Sequence, residues 1–266
     1  MRALAEQSIT LADEGGHLVS PWACLALVVL EWSAADYVAM QRVCERALRA
    51  AEARGDEIAA CVASSFTALV SFGLGDDVGS TAEAEAALMR AERLGHPDAI
   101  RSVVNTVAIR FISSDEPDFA SCYSVLNRYE RFLRADDALA VYLEGAWGSA
   151  LLGLGRPGAV EHLARAVRVA DRLSVMLGMD IGLRQLAAAA GRAGYRAEAA
   201  MLAGYAEANL HTYPRDSWDM GWHQTAIEEA LGGMTDRAEH EAIGRAMTRR
   251  QVMAMVGKLD TTIDHP

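Results

Sequence analysis

Seven histidines, four cysteines and several adjacent carboxylates are the residues of this 266-residue chain with the means to do chemistry. A hydrolytic metal centre on a helix needs ligands that share one face, and no histidine here pairs with another in the manner of HExxH. "EHE" at 239–241 spreads three polar groups over different faces and reads as solvated surface. Cys24, Cys44 and Cys61 could meet across adjacent helices to hold zinc. Widely spaced thiols without a CxxC pair are, however, the ordinary inventory of a reduced core. Asp76–Asp77 and Asp115–Glu116 resemble acid/base pairs, but they fall between helices, where turns and N-caps use the same residues. Tyr213, Trp218 and Trp222 offer an aromatic pocket, and packing of the C-terminal helices is the weightier reading. No nucleophile, base and orienting residue come together, and no GxxxxGK[ST] loop is present. The expectation is a non-enzyme with no catalytic residue, no metal and no cofactor.

Composition narrows the partners. A net charge of −11 is the wrong sign for direct nucleic-acid binding, which needs clustered Lys and Arg. Lys258 is the only lysine among 25 basic residues, a bias that fits a GC-rich genome better than selection for arginine chemistry. The longest apolar run, "WACLALVVL" from Trp22 to Leu30, is too short to span a bilayer and lacks the flanks of a signal peptide. It reads as a buried helix. Unpaired cysteines and no membrane segment place the expected protein in the cytoplasm.

Helices must position whatever these residues do, and they recur. Short loops centre on Ala35, Gly75, Asp115, Gly155 and Gly194, at intervals of 40, 40, 40 and 39 residues. A fixed period in this range marks stacked repeats. Seven residues before each loop point stand Val28, Ala68, Ala108, Gly148 and Ala187. Nine after it stand Cys44, Ala84, Ser124, Ala164 and Ala203. Small side chains in both columns would let neighbouring helices approach closely. Gly55 and Gly95 suit C-caps and Pro97 the first turn of the next helix. "SVVNTVAIRFIS", 102–113, has strand propensity, but its phase makes it a helix. The spacing predicts an all-α chain: an α-solenoid of about five helical hairpins with a period of about 40, spanning 1–211, and a C-terminal helical cap over 212–266. "MRALAEQSITLADEGG" is a second-of-pair helix without its first, leaving Leu4, Ser8 and Leu11 on an open face. A homodimer through this helix, or cover from an upstream domain, is expected.

A helical hairpin with paired small positions resembles the tetratricopeptide repeat, at 40 residues rather than the usual 34. "RAEAAMLAGYAEANLHTYPRDSW" and "EAIGRAMTRRQVMAMV" resemble the C-terminal helical region of bacterial LuxR-type, ATPase and adenylate-cyclase multidomain regulators. The closing motif matches at Gly244, Arg245, Ala246, Met247 and Thr248. Thr248 and Gln251 also form a capping box. Arg249 and Arg250 depart from the family, which usually places an acidic residue there, and they oppose the helix dipole.

The resemblance implies a concave groove lined by the first helix of each pair. Ten residues before the loop points are Leu25, Ser65, Asn105, Gly145 and Arg184. Three before them are Trp32, Phe72, Ile112, Leu152 and Gly191. Positions seven apart share a face, so Ser65, Asn105 and Arg184 would be polar points among Trp32, Phe72, Ile112 and Leu152. Packing on neighbouring helices is the competing reading of the same columns. The implied function is a non-enzymatic scaffold for a protein partner or an upstream output domain in a signalling or transcriptional regulator. The alternative is a superhelix that senses a small-molecule or peptide effector, and an unrecognised helical enzyme is the weaker third.

Overall fold

Helix is the sole regular structure among the described residues, which in this computed structural model are 2–113, 116–133, 136–210 and 221–262. The side chains of Gly221, Thr261 and Thr262 are outside the description. In chain order the helices are α1 (Arg2–Glu14), α2 (Pro21–Ser33), α3 (Tyr37–Arg54), α4 (Glu57–Gly73), α5 (Asp77–Leu94), α6 (Pro97–Ile112), α7 (Phe119–Arg128) and the single turn α8 (Glu130–Leu133). They continue as α9 (Ala138–Gly153), α10 (Ala159–Leu173), α11 (Met176–Arg192), α12 (Arg196–Asn209), α13 (Gly221–Leu231), α14 (Arg237–Ala246) and α15 (Arg249–Thr262). The valine- and isoleucine-rich stretch 102–113 lies in α6 up to Ile112, because burial against neighbouring helices outweighs a propensity term below 1 kcal/mol per residue.

The turns explain why the helices stop where they do. Ala35, Gly75, Gly155 and Gly194 are left-handed, at φ 54°, 85°, 63° and 95°. At each the helix closes in the same way, seen at the first: Ala35 N–H bonds the Trp32 carbonyl and Asp36 N–H the Glu31 carbonyl, both within 3.0 Å. The fifth predicted turn point, Asp115, lies outside the described residues. Gly233 adds a further left-handed turn at φ 72°. A second set closes the other ends of the hairpins at Gly16, Gly55, Gly95 and Ser174. Aspartate often follows at once. Asp36, Asp56 and Asp76 accept from the amides of Ala39, Ala59 and Gly79, so one residue ends a turn and caps the next helix.

The chain gathers into two compact units, divided between Arg110 and Phe111. In the first, α2 packs on α1 and α3, and α4 on α3 and α5. Its core joins Cys24, Leu25, Ala47, Ala51 and Ala59 with a second cluster of Val28, Trp32, Met40 and Leu69. The Tyr37 ring lies against Gly73, where a side chain would strike it.

In the second unit, α9 and α10, then α11 and α12, form hairpins, and α13, α14 and α15 pack on α11, α12 and α10 respectively. Phe119 covers Gly153 just as Tyr37 covers Gly73. The predicted capping box forms, with Thr248 N–H bonded to Gln251 Oε1 at 2.8 Å and Gln251 N–H to Thr248 Oγ1 at 3.4 Å. Arg249 has a partner that outweighs the unfavourable helix dipole: its guanidinium bonds the Asp171 carboxylate and, at 2.8 Å, the Asp171 carbonyl.

One small-residue column holds throughout, with Val28, Ala68, Ala108, Gly148 and Ala187 all buried. The other needs correction. Cys44, Ala84 and Ala164 are buried, but Ser124 is exposed and Ala203 half-buried. Helix α7 starts only after its Asp118 cap, which turns Cys122 rather than Ser124 inward, and in α12 the close contact falls on Gly204.

Candidate functional site

The predicted groove residues divide between the units. Trp32, Ser65, Phe72 and Asn105 belong to the first; Ile112, Leu152 and Arg184 to the second. Trp32, Ile112, Leu152 and Ser65 do not stand on an open wall. Each is buried by neighbouring helices. Trp32, Phe72 and Leu152 are the residues whose carbonyls close the turns, which draws their side chains into the packing below. The Ile112 carbonyl accepts the Trp222 indole N–H at 3.1 Å. Ser65 Oγ is satisfied locally by the Val62 carbonyl at 2.8 Å. Phe72 is half-buried beneath the Arg110 guanidinium, 5.7 Å from its ring centre. Asn105 is half-buried, and its Oδ1 is enclosed without a hydrogen-bond partner. Arg184 is held by its own helix, Nε to Asp180 Oδ1 at 2.9 Å.

The same register continues past Arg184. Ten residues before the turn at Gly233 stands His223, on α13, and it does not stand alone. His223 Nε2 lies 3.1 Å from Gln185 Nε2, so the amide N–H donates and the imidazole accepts. Enclosure and the nearby Arg184 charge drive the imidazole pKa down to about 3, which keeps the ring neutral with its proton on Nδ1. Gln185 is 2 % exposed and its Oε1 has no partner. That oxygen faces Gly145 on α9, at 3.5 Å from where a side chain there would begin. Three helices, α9, α11 and α13, thus bring Gly145, Gln185 and His223 together. Gly145 was visible in the column, but Gln185 was hidden behind Arg184. His223 needed a further turn to come into register.

A second polar group sits on the α9–α10 hairpin. Glu144 accepts from His162 Nδ1 at 2.6 Å and meets Arg165 Nε at 3.2 Å, while Trp147 stacks on the imidazole, 5.1 Å between ring centres. This is the geometry of a carboxylate orienting a histidine. Trp222 packs edge-on to Phe119, 4.9 Å between centres; its suggested companions Tyr213 and Trp218 lie outside the described residues. All four cysteines are free and buried. Cys44 donates to the Ala63 carbonyl, and desolvation raises its thiol to about 12. Among the described residues no three His, Cys, Asp or Glu gather as a metal site, and no helix is long and apolar enough to cross a membrane. No family model matches this chain, and neither a curated protein nor a solved structure is similar to it.

Proposed function

We propose that this chain is a tetratricopeptide-like α-solenoid serving as a non-enzymatic scaffold, which binds a protein partner within a bacterial signalling or transcriptional regulator. The observation that carries this reading is the recurrence of one turn. Left-handed residues at 35, 75, 155, 194 and 233 sit at the same phase of a period of 39 or 40 residues, with the same paired hydrogen bonds at the first four. Repeats that each contact only their neighbours build extended surfaces suited to other proteins. Fold alone does not assign function, so the test is biochemical. In-cell crosslinking of the tagged full chain, followed by reconstitution with each purified partner, should yield a stoichiometric complex by calorimetry. A chain that purifies alone and turns over a substrate would refute the reading.

The second reading is effector sensing, favoured by the enclosed Gln185–His223 pair. A buried amide with an unsatisfied oxygen costs about 1–3 kcal/mol unless something occupies the place beside it.

A further inference from the structure

The wall around Gly145 is unusual within its own helix. Side chains built at Gly148 or Gly153 in α9, or at Gly178 in α11, would strike a neighbour at under 3.0 Å. Gly145 is buried as Gly148 and Gly178 are, yet a side chain begun there would touch one atom within 4 Å, Gln185 Oε1. The place a Cβ would take at Gly145 is therefore not occupied by a neighbouring side chain, as it is at Gly148, Gly153 and Gly178.

A second orphan belongs to the same face. Ser149 follows Gly145 by four residues, one turn along α9. It is fully buried, and its Oγ has no partner. Helical serines elsewhere in this chain bond their own helix or a neighbouring one, as Ser80 bonds the Ala68 carbonyl of α4; of the serines, only Ser113 Oγ joins Ser149 Oγ as enclosed without a partner among the described residues. Ser33 bonds the Val29 carbonyl and Ser64 the Ala60 carbonyl, both at 2.8 Å, and Ser65 bonds Val62. Ser149 does not bond back to Gly145. A buried acceptor on α11 beside Gly145 and a buried hydroxyl one turn along α9 therefore both lack partners.

We propose that the gap beside Gly145 is a binding site for a small neutral molecule with an N–H or O–H donor, of the class of primary amides and short alcohols, held by Gln185 Oε1 and Ser149 Oγ. The lining selects that class. An anion would bring an acceptor against the Gln185 oxygen. A cation would be desolvated close to Arg184, whose charge is felt at His223. The imidazole fixes the amide's orientation, because His223 accepts from Nε2 and so turns Oε1 toward α9. His223 is thus a positioning residue and Gln185 the contact.

The proposal deepens the effector-sensing reading and rests on it, while partner binding by the chain is independent of it. The probe is acetamide, with acetate as a charged control of similar size, read by thermal melting and by the side-chain amide signal of Gln185 in 15N-labelled protein. Acetamide at several times its Kd should raise the wild-type melting temperature by about 2–4 °C and shift the Gln185 signal, with acetate inert. Gly145→Ala puts a methyl in the gap at an ordinary contact distance. It should keep the fold and the Glu144–His162 pair while losing both responses. Ser149→Ala should weaken the response about tenfold in Kd. An equal response in Gly145→Ala, or acetate as effective as acetamide, would overturn the site. So would a Gln185 signal that ignores acetamide, which would leave an internal water as the occupant. Loss of the site with partner binding retained would remove the effector reading and spare the scaffold.

Discussion

Gly244 offers the sharpest test of how the C-terminal helices are held. Where α12 and α14 cross, a Cβ on Gly244 would stand under 3.0 Å from the Met201 carbonyl, and one on Gly204 equally close to the Glu241 carbonyl. The obstruction is backbone in both directions, so no rotamer change relieves it. Gly244→Ala forces the helices apart by roughly an ångström, and a gap of 0.5–1 Å already forfeits about a quarter to a half of each dispersion contact along the seam. Overpacking of this kind costs about 1–3 kcal/mol, set against about 1 kcal/mol gained in helix propensity. The backbone clash places the loss at the upper end, for a net destabilisation of roughly 2 kcal/mol. Gly257 on α15 is the control, because a Cβ there meets nothing within 4 Å. Gly257→Ala keeps the propensity gain alone and should stabilise by up to about 1 kcal/mol. Urea and thermal melts of the two variants should move in opposite directions, by about 4–8 °C downward for Gly244→Ala. A Gly244→Ala protein as stable as wild type would mean that α14 does not pack on α12 at this distance.

Three further outcomes follow from the structure. Because the folded pKa of His223 is depressed from 6.5 to about 3, the unfolded chain takes up the proton first. Stability should therefore fall as pH drops from 6.5 toward 3, by at most about 1.4 kcal/mol per pH unit, and His223→Gln should flatten the slope in urea melts. Ala35 holds a left-handed turn at φ 54° that strains its Cβ, so Ala35→Gly should raise stability by up to about 1 kcal/mol, while Gly155→Ala should lower it by a similar amount in the same melts. Leu4 and Leu11 are 72 % and 59 % exposed on α1; sedimentation should show a dimer of the full chain that Leu4→Glu with Leu11→Glu converts to monomer, and a wild-type monomer would refute the homodimer expectation.

Turn chemistry was the most legible part of this chain, because it depends on residues close in sequence. Glycine followed by aspartate, at 55–56 and 75–76, announces a left-handed C-terminus joined to an N-cap, and both form as written. Phase decided the case of 102–113, where valine and isoleucine favour a strand locally and the helix prevails. The third hairpin was harder to read. A cap at Asp118 sets the phase of α7, which buries Cys122 and exposes Ser124, two residues on; each residue turns the side chain by about 100°. That same rotation separates Arg184 from Gln185. Sequence spacing places Arg184 in the column and Gln185 one position beyond it. Burial chose the other, since an arginine can reach solvent and its own Asp180 while an amide one position on is carried into the seam between α9 and α13. Periodicity locates a helix face to within about one residue, and at this face that single residue separates a half-buried ion pair from an enclosed acceptor beside Gly145.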